Sequence, residues 1–460
     1  MRVPPAWLAI GLLGIAAGLA YLPDLGHGFI KDDFGWIVAG RVEHPGDLGS
    51  IFRRPVGFYR PLVTLTFTAD RALFGLRPFP YGCTNLALLI LAAGLLVRLG
   101  ACLGLSRGLA ILVGALWTLN FHGVNMAVMW ISGRTALVLT ACAVAAVLAL
   151  VSGRRVTAGG LTLLALLAKE EAVALPVILG AWAWLSAGTR GLARPARIRR
   201  WVADVWPLAL ALAAYALLRL QTEAYLPWRA PDYYRPTLAL GAVGRNLVEY
   251  LDRAGTAALA VVALACLVAG RVTRLAPRER QIALMGAIWL AGGFALTLFL
   301  PVRSSLYAVF PSVGVALMAG AAVAALEPDL RRRGWAIWLL LLLPFLCLPV
   351  YRARNAPWRA LAEVSAGALG TLTTAARELS DGDGILLLDD PASRASLASA
   401  FGVAAEEAVN LMTGRALRVW IEPPVRFAEL AGLRPFGKQE ARLIFRLEGG
   451  RLVRVASPAR

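Results

Sequence analysis

The stretch Leu163–Leu179, "LLALLAKEEAVALPVIL", decides how this chain is threaded. It sets Lys169, Glu170 and Glu171 between two apolar segments. Read as one helix over 158–187, it would bury three ionisable side chains near the middle of a bilayer, where they are costly. Read as two segments meeting at Lys169-Glu170-Glu171, it brings the charges to the membrane surface. The second reading also keeps the arginine-rich loops on one side. These hold Arg154 and Arg155; then Arg190, Arg194, Arg197, Arg199 and Arg200; then Arg271, Arg274, Arg278 and Arg280; then Arg331 to Arg333. Cytoplasmic loops carry such an excess. We therefore expect two segments, the first short and either tilted or entering from a cavity. The N-terminus is then cytoplasmic, and 24–82 and the C-terminus lie outside.

The remaining composition agrees with this threading. Hydrophobic residues make up 58% of 460, which excludes a single soluble domain. Apolar runs near the length of a bilayer crossing fall at 6–23, 84–104, 109–129, 134–152, 158–168, 171–187, 201–220, 242–270, 281–300, 304–326 and 334–352. The expected fold is a polytopic α-helical membrane protein of about eleven spans. No cleavage motif follows the run Trp7 to Leu22, so it reads as a retained helix. The net charge of +19 sits at the ends of apolar runs, which suits topology and anionic headgroups, not nucleic acid. The cations are nearly all Arg; the only lysines are Lys31, Lys169 and Lys438. Five cysteines and three histidines show neither a disulfide framework nor metal-ligand spacing, and we assign no metal site.

The outer loop 24–82 is amphiphilic and rich in aromatic residues, as suits short interfacial helices. A second outer loop, Gln221 to Thr237, is rich in Pro, Tyr and Trp and reads as headgroup-level chain. After Arg354 the pattern changes. An amphipathic helix over 358–380, strands at 384–388 and 417–421, a helix over 394–412 and a hairpin around Glu448-Gly449-Gly450 predict a small α/β domain. The expected organisation is a membrane domain over 1–355 and this domain over 356–460.

Several polar groups could carry chemistry. Asp32 and Asp33, in "FIKDDFGW", follow the first span. They are either helix-cap or solvated charges, or a pair with a raised pKa able to act as general base or to hold a hard cation. Arg60 of Tyr59-Arg60-Pro61-Leu62 is either a headgroup contact or a bidentate phosphate clamp. Arg134, in Trp130-Ile131-Ser132-Gly133-Arg134, is either a snorkelling arginine or a cavity cation. Lys169 could pair with a lipid phosphate, and Glu170 could orient it or bind a sugar hydroxyl; a structural ion pair is the alternative. Arg303 lies at another outer end. Cations and carboxylates on one side of a membrane suit a lipid-linked, phosphate-bearing substrate.

The ordered set resembles a family. Asp32-Asp33, Tyr59 to Phe67, Leu73-Phe74-Gly75-Leu76 and Asn85, then Trp130 to Arg134, Ala168-Lys169-Glu170, Arg303 to Gly314 and Asn355 to Arg359 look like the membrane O-mannosyltransferases with tetratricopeptide repeats and their bacterial relatives. These are GT-C glycosyltransferases, a superfamily shared with the protein mannosyltransferases and the lipid A aminoarabinose transferases. The likeness covers about 1–360 and is discontinuous. It implies a bacterial inner-membrane enzyme that moves a sugar from a polyprenyl-phosphate donor to an acceptor hydroxyl, with inversion, on the outer face. Asp32 takes the base position and Asp33 is the second acid, with reversed roles left open. Arg60, Arg134, Lys169, Glu170 and Arg303 would face the donor phosphate or sugar. A divalent cation is compatible but not required. The acceptor, protein or glycan, is not specified. The chain departs from the family in Tyr81-Gly82-Cys83-Thr84-Asn85, where the His found before the Asn in many relatives is missing, around His122, and at Val302, where an acid is lost. The repeat array is absent. Two other readings compete. A flippase for lipid-linked sugars predicts an internal repeat and acids at the midplane, and a non-catalytic scaffold would use its α/β domain to bind a partner.

Overall fold

A computed structural model of the chain describes residues 6–53, 57–188, 193–226, 230–333, 342, 346–390, 395–422 and 441–455. Helix α1 (Ala6–Tyr21) leads into the outer loop, which forms short helices α2 (Asp33–Ala39), α3 (Leu48–Arg53) and α4 (Pro61–Phe74). Then come α5 (Pro78–Cys102), α6 (Arg107–Thr118), α7 (Asn125–Met129), α8 (Arg134–Val151) and α9 (Arg155–Ala168). Helices α10 (Leu175–Gly188), α11 (Arg194–Leu220), α12 (Leu240–Ala269) and α13 (Pro277–Phe294) follow, then α14 (Leu306–Val309), α15 (Ser312–Ala324) and α16 (Glu327–Arg332). Among the described residues six helices are long and apolar enough to cross a membrane, and three shorter apolar ones accompany them. The chain is a multi-pass membrane protein. The expected span 334–352 lies largely outside the described residues, as does Arg190.

The break at the opening stretch is present. Helix α9 ends at Ala168, Lys169 is extended (φ −163°, ψ 143°), and a 3-10 turn, Glu170–Ala174, leads into α10. An extended residue between two helices ends the backbone ladder, so carbonyls and charges there need new partners. Elsewhere the helices differ from the expected spans. The run 109–129 is not one helix, because α6 stops at Thr118. Past it, the Asn120 side-chain oxygen accepts from the N–H groups of His122 and Gly123 and turns the chain. Gly286 on α13 and Gly314 on α15 face each other so closely that a Cβ on either would strike the other's carbonyl. Small residues permit this approach of helices in a bilayer. Thus Gly314 of "FPSVG" is a packing residue.

The C-terminal part is built on α17 (Leu348–Ala375), which begins ten residues before the amphipathic helix expected from 358. Strands β1 (Gly384–Leu388), β2 (Arg418–Glu422), β3 (Leu443–Glu448) and β4 (Arg451–Val455) form one sheet in the order β2-β1-β3-β4. Strand β1 runs parallel to both neighbours, with Ile385 opposite Val419 and Leu443. Its continuous apolar sequence suits a central parallel strand covered on both faces. The expected helix over 394–412 is split into α18 (Leu397–Phe401) and α19 (Ala405–Thr413). Gly402, at φ +57°, ends the first of these.

This unit sits against the first outer loop. The Lys31 N–H donates to the Ala400 carbonyl at 2.8 Å. The Phe34 and Phe401 rings lie 6.0 Å apart. On the other flank, the Ser365 hydroxyl of α17 donates to the Phe29 carbonyl at 2.8 Å. The loop and the sheet unit therefore pack directly against each other.

Candidate functional site

Within "FIKDDFGW" the two carboxylates part company. Ile30, Asp33 and Phe34 are fully buried, and the chain turns at Lys31 with φ +50°. Asp33 opens α2, and its oxygens are spoken for. One accepts from the Ser132 N–H (2.7 Å) and hydroxyl (2.5 Å), the other from the Ile30 N–H (3.0 Å). Asp33 thus latches the loop to the Trp130–Arg134 turn. Burial pushes its carboxyl up to about 7, although Ser132 and Ile30 pull the other way. Its folded pKa lies above the unfolded value near 3.9, so the folded state holds the proton more tightly. Its contribution to stability is full below about pH 4 and is lost as pH rises through about 7. We expect the thermal midpoint in detergent to fall between pH 5 and pH 8 more for wild type than for Asp33→Asn. Equal pH profiles for the two would refute the latch's titration.

Asp32 lines a cavity of about 290 Å³, near the lower end for small-molecule sites, about 300 Å³. Among the described residues its carboxylate has no ion-pair or hydrogen-bond partner. Its side chain is open to the cavity, yet protein surrounds it on most sides. That desolvation raises its pKa, and Lys31 and Arg60 partly offset the rise.

Arg60 lines the same cavity. It precedes Pro61 at the start of α4, and its guanidinium lies 4.4 Å from the Phe58 ring centre. It meets Glu170 in a fork, Nε at 3.0 Å and Nη2 at 2.8 Å. This bond explains the break after α9: the extended Lys169 delivers Glu170 to Arg60. Among the described residues Nη1 has no partner, which leaves one edge of the fork for an anion. Lys169 itself turns inward. Its ammonium lies 2.6 Å from Glu171 and 5.1 Å from the Tyr307 ring centre, nearly excluded from solvent. Lys169 and Glu171 thus form a buried ion pair.

Of the five expected donor contacts only Arg60 lines this cavity: Glu170 lies behind it on the guanidinium, and Lys169, Arg134 and Arg303 are engaged elsewhere. Arg134 is fully buried. It pairs with Asp70 at 2.7 Å, donates to the Asn85 side chain and the Tyr81 carbonyl at 3.0 Å each, and lies over Phe67 at 4.2 Å. Asn85 in turn bonds the carbonyls of Ala127, Trp130 and Ile131. Arg303 is ion-paired with Glu249, which also holds Arg253 at 3.1 Å. The Lys31 ammonium lies about 6 Å from the Trp130 and Trp358 rings, which stack on each other. The Asn355 amide bonds Asp24 at 2.7 Å and the Ala20 carbonyl at 2.9 Å, tying α17 to the end of α1.

Sequence reasoning missed part of the cavity wall. Tyr225, Tyr233 and Tyr234 from the second outer loop line it, as does Glu407 from α19. The tyrosine-rich loop was expected at headgroup depth, which is a general preference and points to no site. A phenol wall, one cation and the carboxylates of Asp32 and Glu407 can hold a polar ring by stacking and hydrogen bonds while neutralising an anion.

The fold is similar to that of ArnT from Cupriavidus metallidurans bound to undecaprenyl phosphate, at 13% identity and a TM-score of 0.56, over 96% of this chain and 93% of that one. It is also similar to the arabinofuranosyltransferase AftD from Mycobacteria, at 13% identity and a TM-score of 0.57, over 99% of this chain and 36% of that one. At this identity the likeness establishes the fold alone, one shared with these two membrane proteins. No family model and no curated relative matches the chain.

Proposed function

We propose that this chain transfers a sugar from a polyprenyl-phosphate donor to an acceptor hydroxyl on the outer face of a bacterial inner membrane, with Asp32 as base. The observation that carries the reading is the cavity itself. It holds an unpaired carboxylate and a cation with one open edge, in a fold like that of a protein solved with undecaprenyl phosphate. Asp32 takes the proton from the acceptor hydroxyl. The oxygen attacks the anomeric carbon opposite the phosphate, and the bond from that carbon to the phosphate oxygen breaks. Polyprenyl phosphate leaves with the bonding pair, the configuration inverts, and Asp32 ends protonated. Arg60 stabilises the charge that develops on the phosphate, as fixed cations do at leaving groups. Glu170 fixes the fork of Arg60. Lys169 and Glu171, as a neutral pair behind it, hold the break in place. Asp33, Arg134 and Arg303 act as scaffold, not as donor contacts. No step is given to a metal ion, and chelation is expected to leave transfer unchanged.

Reconstitution in liposomes with a panel of polyprenyl-phosphate sugars tests this reading. The expected result is release of polyprenyl phosphate with loss of the donor sugar. Movement of intact donor across the bilayer without bond cleavage would replace the transferase by a flippase. Arg60→Gln is expected to lower the rate about a hundred- to a thousandfold, as for removal of one preorganised donor. Arg60→Lys keeps the charge but not the fork, and should recover only part of that loss. Full activity in Arg60→Gln would remove it from the phosphate.

A further inference from the structure

We infer that the C-terminal unit completes the donor pocket and that Glu407 binds hydroxyls of the donor sugar, an inference that rests on the transferase reading above. The unit does not merely lie near the bundle. Its turn between α18 and α19 carries Val403 and Ala404 into the cavity wall, followed one helical turn on by Glu407. The Lys31–Ala400 backbone bond and the Phe34–Phe401 contact pin that turn beside Asp32. Lys31 and Asp32 are adjacent in sequence, so the contact that docks the unit is one residue from the proposed base.

Glu406 and Glu407 show what is particular about the second. Glu406 turns to the sheet, where its carboxylate accepts from the Val419 N–H of β2 at 3.3 Å. Glu407 turns to the cavity, and among the described residues its carboxylate has no ion-pair partner and no bond to another residue. Its surroundings desolvate it and raise its pKa, and Glu406 adds to the rise. The helix dipole favours a carboxylate in this first turn, but among the described residues no other side chain takes up its oxygens. It does have the right chemistry for vicinal hydroxyls, because two oxygens with four lone-pair sites accept from both at once. Arg60 and Glu407 line the same cavity of about 290 Å³, so a sugar ring held with its phosphate at Arg60 shares that space with Glu407. Arg60 then reads the phosphate, Glu407 the sugar, and Asp32 remains free for the acceptor.

The test compares binding of undecaprenyl phosphate with binding of a panel of undecaprenyl-phosphate hexoses and pentoses, on the full-length protein in nanodiscs. Wild type is expected to bind at least one sugar-bearing donor more tightly than the bare phosphate. Glu407→Gln should lose about ten- to a hundredfold of that increment, the range for hydrogen bonds to a charged acceptor. Its affinity for undecaprenyl phosphate and its thermal midpoint should stay unchanged. Glu407→Asp should retain part of the increment. The proposal is overturned by a wild type with no sugar-dependent increment, or by a Glu407→Gln protein that keeps it. Equal weakening for donor and bare phosphate also overturns it, since that is the signature of a field effect on Arg60. Failure of the base assignment reads separately: an Asp32→Asn protein that still transfers sugar leaves the binding comparison intact.

Discussion

Replacing Asp32 by Asn is expected to reduce sugar transfer about a hundred- to ten-thousandfold, the usual worth of a positioned general base, with donor affinity unchanged. Asn keeps the size and the hydrogen-bonding edge of the side chain but has no site for the acceptor's proton. The neighbouring Asp33→Asn variant should behave differently. Its amide would present an N–H to a ring of three donors, Ile30 N–H, Ser132 N–H and Ser132 hydroxyl. The cost then appears as stability, about 1–3 kcal/mol for a buried group left badly paired. The pH profile separates the two further. As the proposed base Asp32 must be deprotonated, so activity is expected to fall as pH drops through its pKa. Desolvation places that pKa above the ordinary carboxylate range, and the acid limb of kcat/KM should lie above about pH 4. Removing Arg60, one of the cations that hold the pKa down, should move the limb of any residual activity higher. An Asp32→Asn enzyme with wild-type turnover, or an Asp33→Asn enzyme that is stable and inactive, would exchange the roles of the two acids.

Which parts of this arrangement the sequence discloses follows from the physics of each part. The break at Lys169 was legible because three charges in an apolar run have a large local cost that needs no knowledge of partners. The sheet strands were legible because "GILLL" and the Glu448-Gly449-Gly450 turn are local signals. The split of α6 from α7 was not, since it depends on one side chain, Asn120, bonding the backbone just past the helix end. The sorting of the motif residues was not legible either. Asp33 with Ser132 and Arg134 with Asn85 and Asp70 are partners 99, 49 and 64 residues apart in sequence. Residues that recur together in a family-like order include those that hold a site's frame as well as those that face its ligand, and a linear order does not separate them. Glu407 gave no signal at all. An acidic pair in the first turn of a helix is what the helix dipole favours anywhere.

The Arg134 reassignment carries the second large expectation. Arg134→Met should destabilise the fold by about 3–5 kcal/mol, the usual result of breaking a buried ion pair from one side. Asp70 is only 4% exposed, so without the guanidinium its carboxylate is left uncompensated. Asn85 also loses the donor to its side-chain oxygen, and with it the fixed orientation that gathers the carbonyls of Ala127, Trp130 and Ile131. The Ser132 latch on Asp33 follows directly from those residues, so the damage should reach the base loop. Arg134→Lys should recover little, since a point charge cannot serve Asp70, Asn85 and the Tyr81 carbonyl together. The double variant Arg134→Met/Asp70→Asn removes both charges and should be more stable than Arg134→Met alone, a non-additivity that marks the pair as coupled. Thermal unfolding in detergent measures this, with undecaprenyl phosphate binding well below the midpoint as the control. A stable Arg134→Met protein that has lost undecaprenyl phosphate affinity would return Arg134 to the donor site. A destabilised one that still binds it fixes the residue as the post that joins Asp70 of α4 to Asn85 and the Tyr81 carbonyl of α5.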